Sequence, residues 1–148
     1  MDILTQTISL LFRHRQTEIG RFGQDIDHIQ RKQLHALLST ARKTEWGLKY
    51  DYKSIHTYED FRNRLPIQTY EEVKPYVERL RAGEQNLLWP SEIRWFAKSS
   101  GTTNDKSKFL PVTPEILKGC HYKGGFDCVA IYLRNNPESR FFSKKGLI

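Results

Sequence analysis

The sequence predicts an α/β fold that is mostly helical by residue count and has a few short strands. Apolar residues recur at helical spacing through much of the first 90 residues, and several of these stretches follow residues that favour helix starts. After Pro90, two short β-prone segments flank a run of small residues. The chain has 148 residues and shows no linker, so we expect one domain over residues 1–148.

Residues 1–90 predict a layer of helices. Apolar spacing defines the extent of each helix, a capping-box pattern marks the start at Thr69, and glycine or proline marks the ends. Helices are expected at residues 2–15, from Asp25 or Asp27 to Gly47 at the latest, from Tyr58 to before Pro66, and from about Thr69 to Gly83.

Residues 91–148 predict a strand, a loop, a second strand, a helix and the start of a third strand. The segments 93–97 and 109–112 are rich in β-branched and aromatic residues. Pro111 limits the second of these strands to a sheet edge or a strand end. The loop between them comprises residues 99–108.

The end of the chain predicts a long helix followed by a strand that is cut short. The sequence TPE (residues 113–115) combines an N-cap, a first-turn proline and an acidic residue, and this helix is expected to reach Arg134. Residues 141–148 are expected to begin a strand, but they end on Leu147 and Ile148. Because an unpaired apolar strand promotes aggregation, we expect the domain to be incomplete.

Composition favours an anionic partner and argues against several classes of protein. The chain has 24 Lys+Arg and 17 Asp+Glu, a net charge of +7, and most of the excess lies in residues 91–148. This charge suits nucleic acid, acidic lipid or a phosphorylated small molecule. No apolar run approaches the roughly 20 residues of a membrane-spanning helix, and no secretory signal is evident. We therefore expect a cytoplasmic protein with no membrane partner.

The cysteines and histidines predict neither a metal site nor a nucleophile. Cys120 and Cys128 are too few for a disulfide framework or a four-ligand zinc site, and we expect both to be small core residues. His28 and His35 share a helix face without a third ligand, so both are expected to be exposed. The three tryptophans are expected to anchor a core or a pocket: Trp46, Trp89 and Trp95.

The loop at residues 99–108, SSGTTNDKSK, is the segment best suited to bind an anion. Small residues allow close backbone approach, and Gly101 at positive φ can turn successive N–H groups toward one point. Lys106 and Lys108 add positive charge that suits phosphate. On composition alone, an ordinary hairpin loop is the favoured interpretation, and the spacing differs from that of P-loop ATPases.

The residues FAKSSGTT (96–103), followed by Lys108 and Pro111, resemble a nucleotide-binding motif. The resemblance is to the auxin-responsive (GH-three) family of acyl-acid amido synthetases, which belong to the adenylate-forming enzymes. Further segments resemble this family, the last of them its bacterial members: TEWG (44–47), YEDF (58–61), LPI (65–67), TYE (69–71), GE (83–84) and HYKGG (121–125). One departure is Asn104-Asp105, where many adenylate-forming enzymes have a glycine.

This resemblance implies a two-step reaction that requires ATP and Mg²⁺. A small carboxylic acid attacks the α-phosphate of ATP, pyrophosphate leaves, and an amine such as an amino acid captures the acyl group. Lys108 is the lysine that best matches the family position and is expected to be the catalytic charge partner of the phosphates, and Lys106 is the second choice. The resemblance assigns the contacts with ATP to Lys106 and to small residues of the loop: Ser99, Ser100, Gly101, Thr102 and Thr103.

The resemblance also implies that the chain is an N-terminal fragment of the large domain of an adenylate-forming enzyme. Such a fragment is expected to be inactive alone and to self-associate through exposed apolar faces. Two alternatives remain open: a basic nucleic-acid-binding module and a truncated interaction domain without catalysis. Acidic residues are interleaved with the basic ones through residues 1–90 and no nucleic-acid motif is present, so the prediction is of no nucleic-acid partner.

Overall fold

The computed structural model describes residues 3–99 and 107–143. Over these residues it consists of helices and a two-stranded sheet, which confirms the predicted mainly helical α/β class. The α-helices are α1 (Ile3–Arg21), α2 (Ile26–Ala41), α3 (Glu45–Lys49), α4 (Tyr58–Arg64), α5 (Tyr70–Arg81), α6 (Pro114–Ile116) and α7 (Lys123–Asn135). The strands are β1 (Trp95–Lys98) and β2 (Phe109–Val112), and short helical turns occupy Tyr52–Ser54, Leu117–Tyr122 and Phe141–Ser143.

The chain divides into two compact units. One unit is formed by both ends of the chain, up to Ile26 and from Lys118 onward, and the other is formed by Asp27–Leu117. The prediction of a single domain over residues 1–148 stays a prediction.

In the unit formed by the chain ends, α1 packs along α7. The Arg15 guanidinium on α1 donates two hydrogen bonds of 2.6 Å to the carboxylate of Asp127 on α7. One residue further, the Gln16 side chain donates to the Ala130 carbonyl oxygen at 3.0 Å. Helix α1 continues past Arg15, its predicted end, and ends at Arg21, so both contacts lie within the helix.

Helix α1 leaves most of its apolar side chains exposed. Only Thr5 is buried among its described residues, whereas the Leu11 side chain is 76% exposed. Three other large apolar side chains on α1 are also exposed, Ile3, Leu4 and Leu10, as is Phe22 in the turn that follows the helix. Such a surface favours association, and the expected self-association stays a prediction.

The predicted third strand is wrong where the structure describes it. Phe141–Ser143 forms a single 3₁₀ turn, and residues 144–148 lie outside the described part of the chain. The Phe141 ring packs against the Tyr132 ring of α7, with centroids 5.3 Å apart, and the Phe142 N–H donates to the Thr5 hydroxyl at 3.4 Å. Phe141 and Phe142 therefore contact helices α7 and α1 respectively and form no strand.

In the second unit, three threonine caps confirm the predicted helix starts. Thr57 and Thr69 each form a capping box, with Asp60 and Glu72 respectively. Thr113 accepts a hydrogen bond from the Ile116 N–H at 3.1 Å. Helix α4 ends before Pro66, and Gly83, at φ +99°, follows the end of α5, as C-terminal glycines commonly do.

The helix after Thr113 is less regular than predicted. Helix α6 passes at Leu117–Tyr122 into a π-helical turn before α7 begins, and α7 ends at Asn135, one residue beyond the predicted end. Gly119 lies within this turn, where its low helix propensity lowers the cost of departing from α geometry.

Thr44 and Gly47 fix the connection between α2 and α3. The buried Thr44 hydroxyl donates to the Ala41 carbonyl oxygen at 2.7 Å and accepts from the Gly47 N–H at 3.0 Å. A Cβ atom at Gly47 would lie 2.1 Å from that same carbonyl oxygen. The close turn therefore requires glycine at this position, which lies within α3.

The core of this unit is centred on Leu80, Leu87 and Ile93, each nearly inaccessible to solvent. Partly buried side chains pack around it, including Trp89 and Phe96. Trp46 is likewise partly buried. His28 and His35 are exposed, as predicted. Two other predictions were wrong: Trp95 is exposed and anchors no core, and Cys120 and Cys128 are exposed and not core residues.

Candidate anion-binding hairpin

The two strands form an antiparallel hairpin whose stem closes the predicted anion-binding loop. Lys98 pairs with Phe109, and the pairing continues to Trp95 with Val112. Strand β1 starts two residues later than predicted because the backbone of Ile93 is hydrogen-bonded to the Gln85 side chain. The Gln85 amide accepts from the Ile93 N–H at 2.9 Å and donates to its carbonyl oxygen at 3.2 Å.

Ser99 and Lys108 meet at the base of the loop. The Ser99 N–H donates to the Lys108 carbonyl oxygen at 2.9 Å, and the Lys108 N–H donates to the Ser99 hydroxyl oxygen at 3.2 Å. The structure therefore brings together the first residue of the loop and the candidate catalytic lysine. The other candidate residues lie outside the described part of the chain: Ser100, Gly101, Thr102, Thr103 and Lys106.

The Lys108 side chain is exposed and lies over an aromatic ring of α5. Its Nζ is 5.3 Å from the centroid of the Tyr70 ring, within the range of a cation–π contact. This contact leaves the ammonium hydrogens free to donate, because the ring face attracts the charge without accepting a conventional hydrogen bond.

The Tyr70 hydroxyl contacts the backbone immediately after Lys108. It accepts a hydrogen bond from the Phe109 N–H at 2.9 Å and lies 3.3 Å from the Phe109 carbonyl oxygen, to which it donates. The sequence marks Tyr70 only as part of a capping pattern and of a family-like segment. The contact spans 39 residues, and no spacing rule predicts a pair so far apart.

Arg81, at the other end of α5, adds a third contact with the hairpin. Its guanidinium carbon lies 3.9 Å from the centroid of the Phe109 ring. Helix α5 thus contacts β2 through its first and last residues, Tyr70 and Arg81. The helix therefore supports the end of the loop from two points.

Arg79 joins α5 to two of the family-like segments, TEWG and GE. It donates to both carboxylate oxygens of Glu45, at 2.8 and 2.7 Å, and to the Glu84 carboxylate. Hydrogen bonds from Arg79 lower the pKa values of both Glu45 and Glu84, and the two acids raise the pKa of Arg79. The two segments are therefore joined by one ion-pair network.

The start of α5 is held by its capping box. The Thr69 N–H and hydroxyl both donate to the Glu72 carboxylate, at 2.6 and 2.7 Å. These hydrogen bonds lower the pKa of Glu72, so the carboxylate stays ionised and the cap intact at neutral pH. Tyr70 is the first helical residue after this cap and is therefore fixed close to β2.

An open groove runs between α5 and the hairpin stem. Its lining carries both positive and negative charges: Glu71, Lys74 and Glu78 from α5 and Lys98 from the stem, with the uncharged Ser107 from the end of the loop. Within residues 3–99 and 107–143, no group of three His, Cys, Asp or Glu side chains could hold a metal ion. Over that same part of the chain, no helix is both long and apolar enough to cross a membrane.

Fold and site define an α/β domain in which a helix-supported hairpin presents a small-residue loop closed by Ser99 and Lys108. Residues 15–147 match the profile of a protein family described as "GH3 family N-terminal domain". The chain therefore belongs to the GH3 family. This membership confirms the family resemblance.

Curated relatives share this region. An indole-3-acetic acid-amido synthetase of Arabidopsis thaliana is 25% identical over 118 residues, covering 79% of this chain and 19% of the relative. A probable indole-3-acetic acid-amido synthetase of Oryza sativa subsp. japonica is 35% identical over 106 residues, with coverages of 67% and 17%. A jasmonoyl–L-amino acid synthetase of Nicotiana attenuata is 27% identical over 121 residues, with coverages of 80% and 21%.

A solved structure agrees with these relatives. The GH3.15 acyl acid amido synthetase matches with a TM-score of 0.64 and 27% identity, covering 70% of this chain and 19% of that one. The chain spans about a fifth of the length of the curated relatives it matches.

Proposed function

We propose that this chain is the N-terminal part of an ATP-dependent acyl-acid amido synthetase. The enzyme adenylates a small carboxylic acid and transfers the acyl group to an amine such as an amino acid. Membership of the GH3 family over residues 15–147 carries the proposal. Relatives named as synthetases of indole-3-acetic acid amides and of jasmonoyl amino acids support this substrate class.

In the first step, a carboxylate oxygen bonds to the α-phosphorus of ATP and the bond to pyrophosphate breaks. In the second step, the amine nitrogen attacks the acyl carbonyl, AMP leaves and the amine loses a proton. Mg²⁺ would accompany ATP and neutralise phosphate charge. The described residues offer no cluster of metal ligands, so the proposal assigns the metal no protein ligand.

Lys108 is the proposed charge partner of the departing phosphates. Its backbone is hydrogen-bonded to that of Ser99 at the base of the loop, and its side chain is exposed. A positive charge placed where negative charge develops stabilises the transition state. We further assign phosphate contacts to the hydroxyls of Ser99 and of its three loop neighbours Ser100, Thr102 and Thr103, close backbone approach to Gly101, and a secondary charge to Lys106.

The test is ATP–pyrophosphate exchange by the product of the complete gene, with a panel of carboxylic acids. Lys108→Ala should lower the exchange rate by about 100-fold, the typical effect of removing one oxyanion donor. Lys32→Ala, the same change at an exposed position on α2, is the control and should have no effect. Unchanged exchange in Lys108→Ala would contradict the assignment, and no exchange with any acid would contradict the function.

The 148-residue chain is expected to be inactive by itself. Pyrophosphate release from ATP should stay at the background rate when this chain is supplied with an acid that supports exchange by the complete product. Release above background would show that residues 1–148 suffice for adenylation.

A further inference from the structure

We propose that Tyr70 is a positioning residue that acts through Lys108 to hold the end of the candidate phosphate-binding loop in place. This inference rests on the function proposed above. It is carried by the contacts of the Tyr70 side chain with two consecutive residues: the ring with Lys108 and the hydroxyl with Phe109.

The backbone geometry explains why a hydroxyl is needed at this point. In an antiparallel pair, residues that exchange backbone hydrogen bonds alternate with residues whose N–H and C=O groups point away from the partner strand. Ser99 and Lys108 are joined by a backbone hydrogen bond, so the polar groups of Phe109 point away from β1. The Tyr70 hydroxyl satisfies both groups, as a third strand would.

Two sets of contacts consequently hold the backbone at Lys108, one from Ser99 and one from α5. On one side, its carbonyl and N–H are bonded to Ser99. On the other side, Phe109 is bonded to Tyr70 and its ring is covered by the Arg81 guanidinium. A lysine side chain loses much conformational freedom when it is ordered. A backbone held at Lys108 and at the following residue restricts where the ammonium can reach, which is the requirement for a precisely placed charge.

The Tyr70 ring makes the second contact, with the side chain of Lys108. It holds the Lys108 ammonium at 5.3 Å from its centroid, close to the loop base, through an attraction that is weak at an exposed site. Phosphate oxygens compete readily with so weak a contact. The ring therefore keeps the charge near the loop without preventing its use.

The first experiment tests the hydrogen bond in the 148-residue chain. Tyr70→Phe keeps the ring and removes the hydroxyl, so hydrogen exchange of the Phe109 amide should become about fivefold faster, as expected for loss of one hydrogen bond. Tyr58→Phe makes the same change at an exposed tyrosine and should leave this amide unchanged. Unaltered Phe109 exchange in Tyr70→Phe would overturn the inference, whatever the enzyme does.

The second experiment tests whether Tyr70 acts through Lys108. In ATP–pyrophosphate exchange by the complete gene product, Tyr70→Phe should lower kcat/KM for ATP by about fivefold, with an unchanged thermal midpoint. In a Lys108→Ala background, the same change should have less than about a twofold effect, because coupled residues are not additive. A purely structural contribution would give additive losses.

The outcomes separate the two proposals. If Lys108→Ala lowers exchange but Tyr70→Phe is silent or additive, the positioning inference fails and the proposed function stands. If the wild-type product exchanges no acid, or Lys108→Ala is silent, the proposed function or its lysine assignment fails and the positioning inference fails with it.

Discussion

Helices α5 and α1 both carry apolar residues at helical spacing but bury them very differently. Leu80 on α5 is 1% exposed, whereas Leu11 on α1 is 76% exposed. Helix α5 is tied by Arg79 to Glu45 and Glu84 and lies against the core, while α1 contacts α7 and the Phe141–Ser143 turn and buries only Thr5 among its described residues. Helical spacing therefore predicts which side chains share a face, but the neighbouring elements decide whether that face is buried.

Substitution of glycine by alanine should destabilise the closely packed turn before α3 and leave the exposed helix α1 intact. Gly47→Ala places a Cβ 2.1 Å from the Ala41 carbonyl oxygen, so the turn before α3 must shift, and we expect a loss of about 4 kcal/mol in the free energy of unfolding. Gly20→Ala on α1 meets no atom within 4 Å and should stabilise by about 0.5 kcal/mol through helix propensity. Urea denaturation of both variants measures the difference, and equal effects would refute the comparison.

The leucines offer a matched pair with a somewhat smaller effect. Leu80→Ala should destabilise by about 3 kcal/mol, because it removes buried apolar atoms and leaves a cavity. Leu11→Ala should change the free energy of unfolding by less than about 0.5 kcal/mol, since its side chain is exposed. Thermal or urea unfolding distinguishes them. A large loss in Leu11→Ala would mean that another surface covers α1 in solution.

The Arg79 network predicts a smaller effect, a pH-dependent difference in Tm between the wild type and an Arg79 variant. The pKa values of Glu45 and Glu84 are lowered in the folded state by Arg79, so their contribution is complete above the unfolded value of about 4.5 and is lost as pH falls through the folded values. Arg79→Gln should therefore lower Tm at pH 7, and its difference from the wild type should shrink below about pH 4.5.

Arg94→Gln is the control for that experiment. Arg94 pairs with Glu92 at 2.8 Å, and both side chains are well exposed, so its loss should leave Tm nearly unchanged. A wild-type minus Arg79→Gln difference that is constant from pH 3 to pH 8 would contradict the lowered pKa values.

Local signals predicted the helix boundaries best. Thr69 and Thr113 each cap a helix as their capping patterns indicated, the helix predicted to start at Tyr58 does so, and Gly83 follows the end of α5. These signals are reliable because the groups that form the cap lie within a few residues of one another. Strand β2 was likewise predicted at its observed bounds.

Features that depend on distant partners were missed. Strand β1 loses Ile93 to the Gln85 side chain, and the aromatic run at Phe141 packs on Tyr132 and forms no strand. Tyr70, the residue that contacts both Lys108 and Phe109, lies 39 residues from the latter. Propensity and periodicity describe neighbours in sequence, so neither could identify these contacts.

The alternation of hydrogen bonds in the hairpin also decides the direction in which its sheet can grow. Phe109 and Pro111 are the residues of β2 whose backbones point away from β1, since both fall at the non-hydrogen-bonded pairs. Tyr70 occupies the first N–H, and proline has none. The outer edge of β2 therefore offers no free donor at either position. Any further strand must join this sheet beside β1, where the backbones of Phe96 and Lys98 face outward.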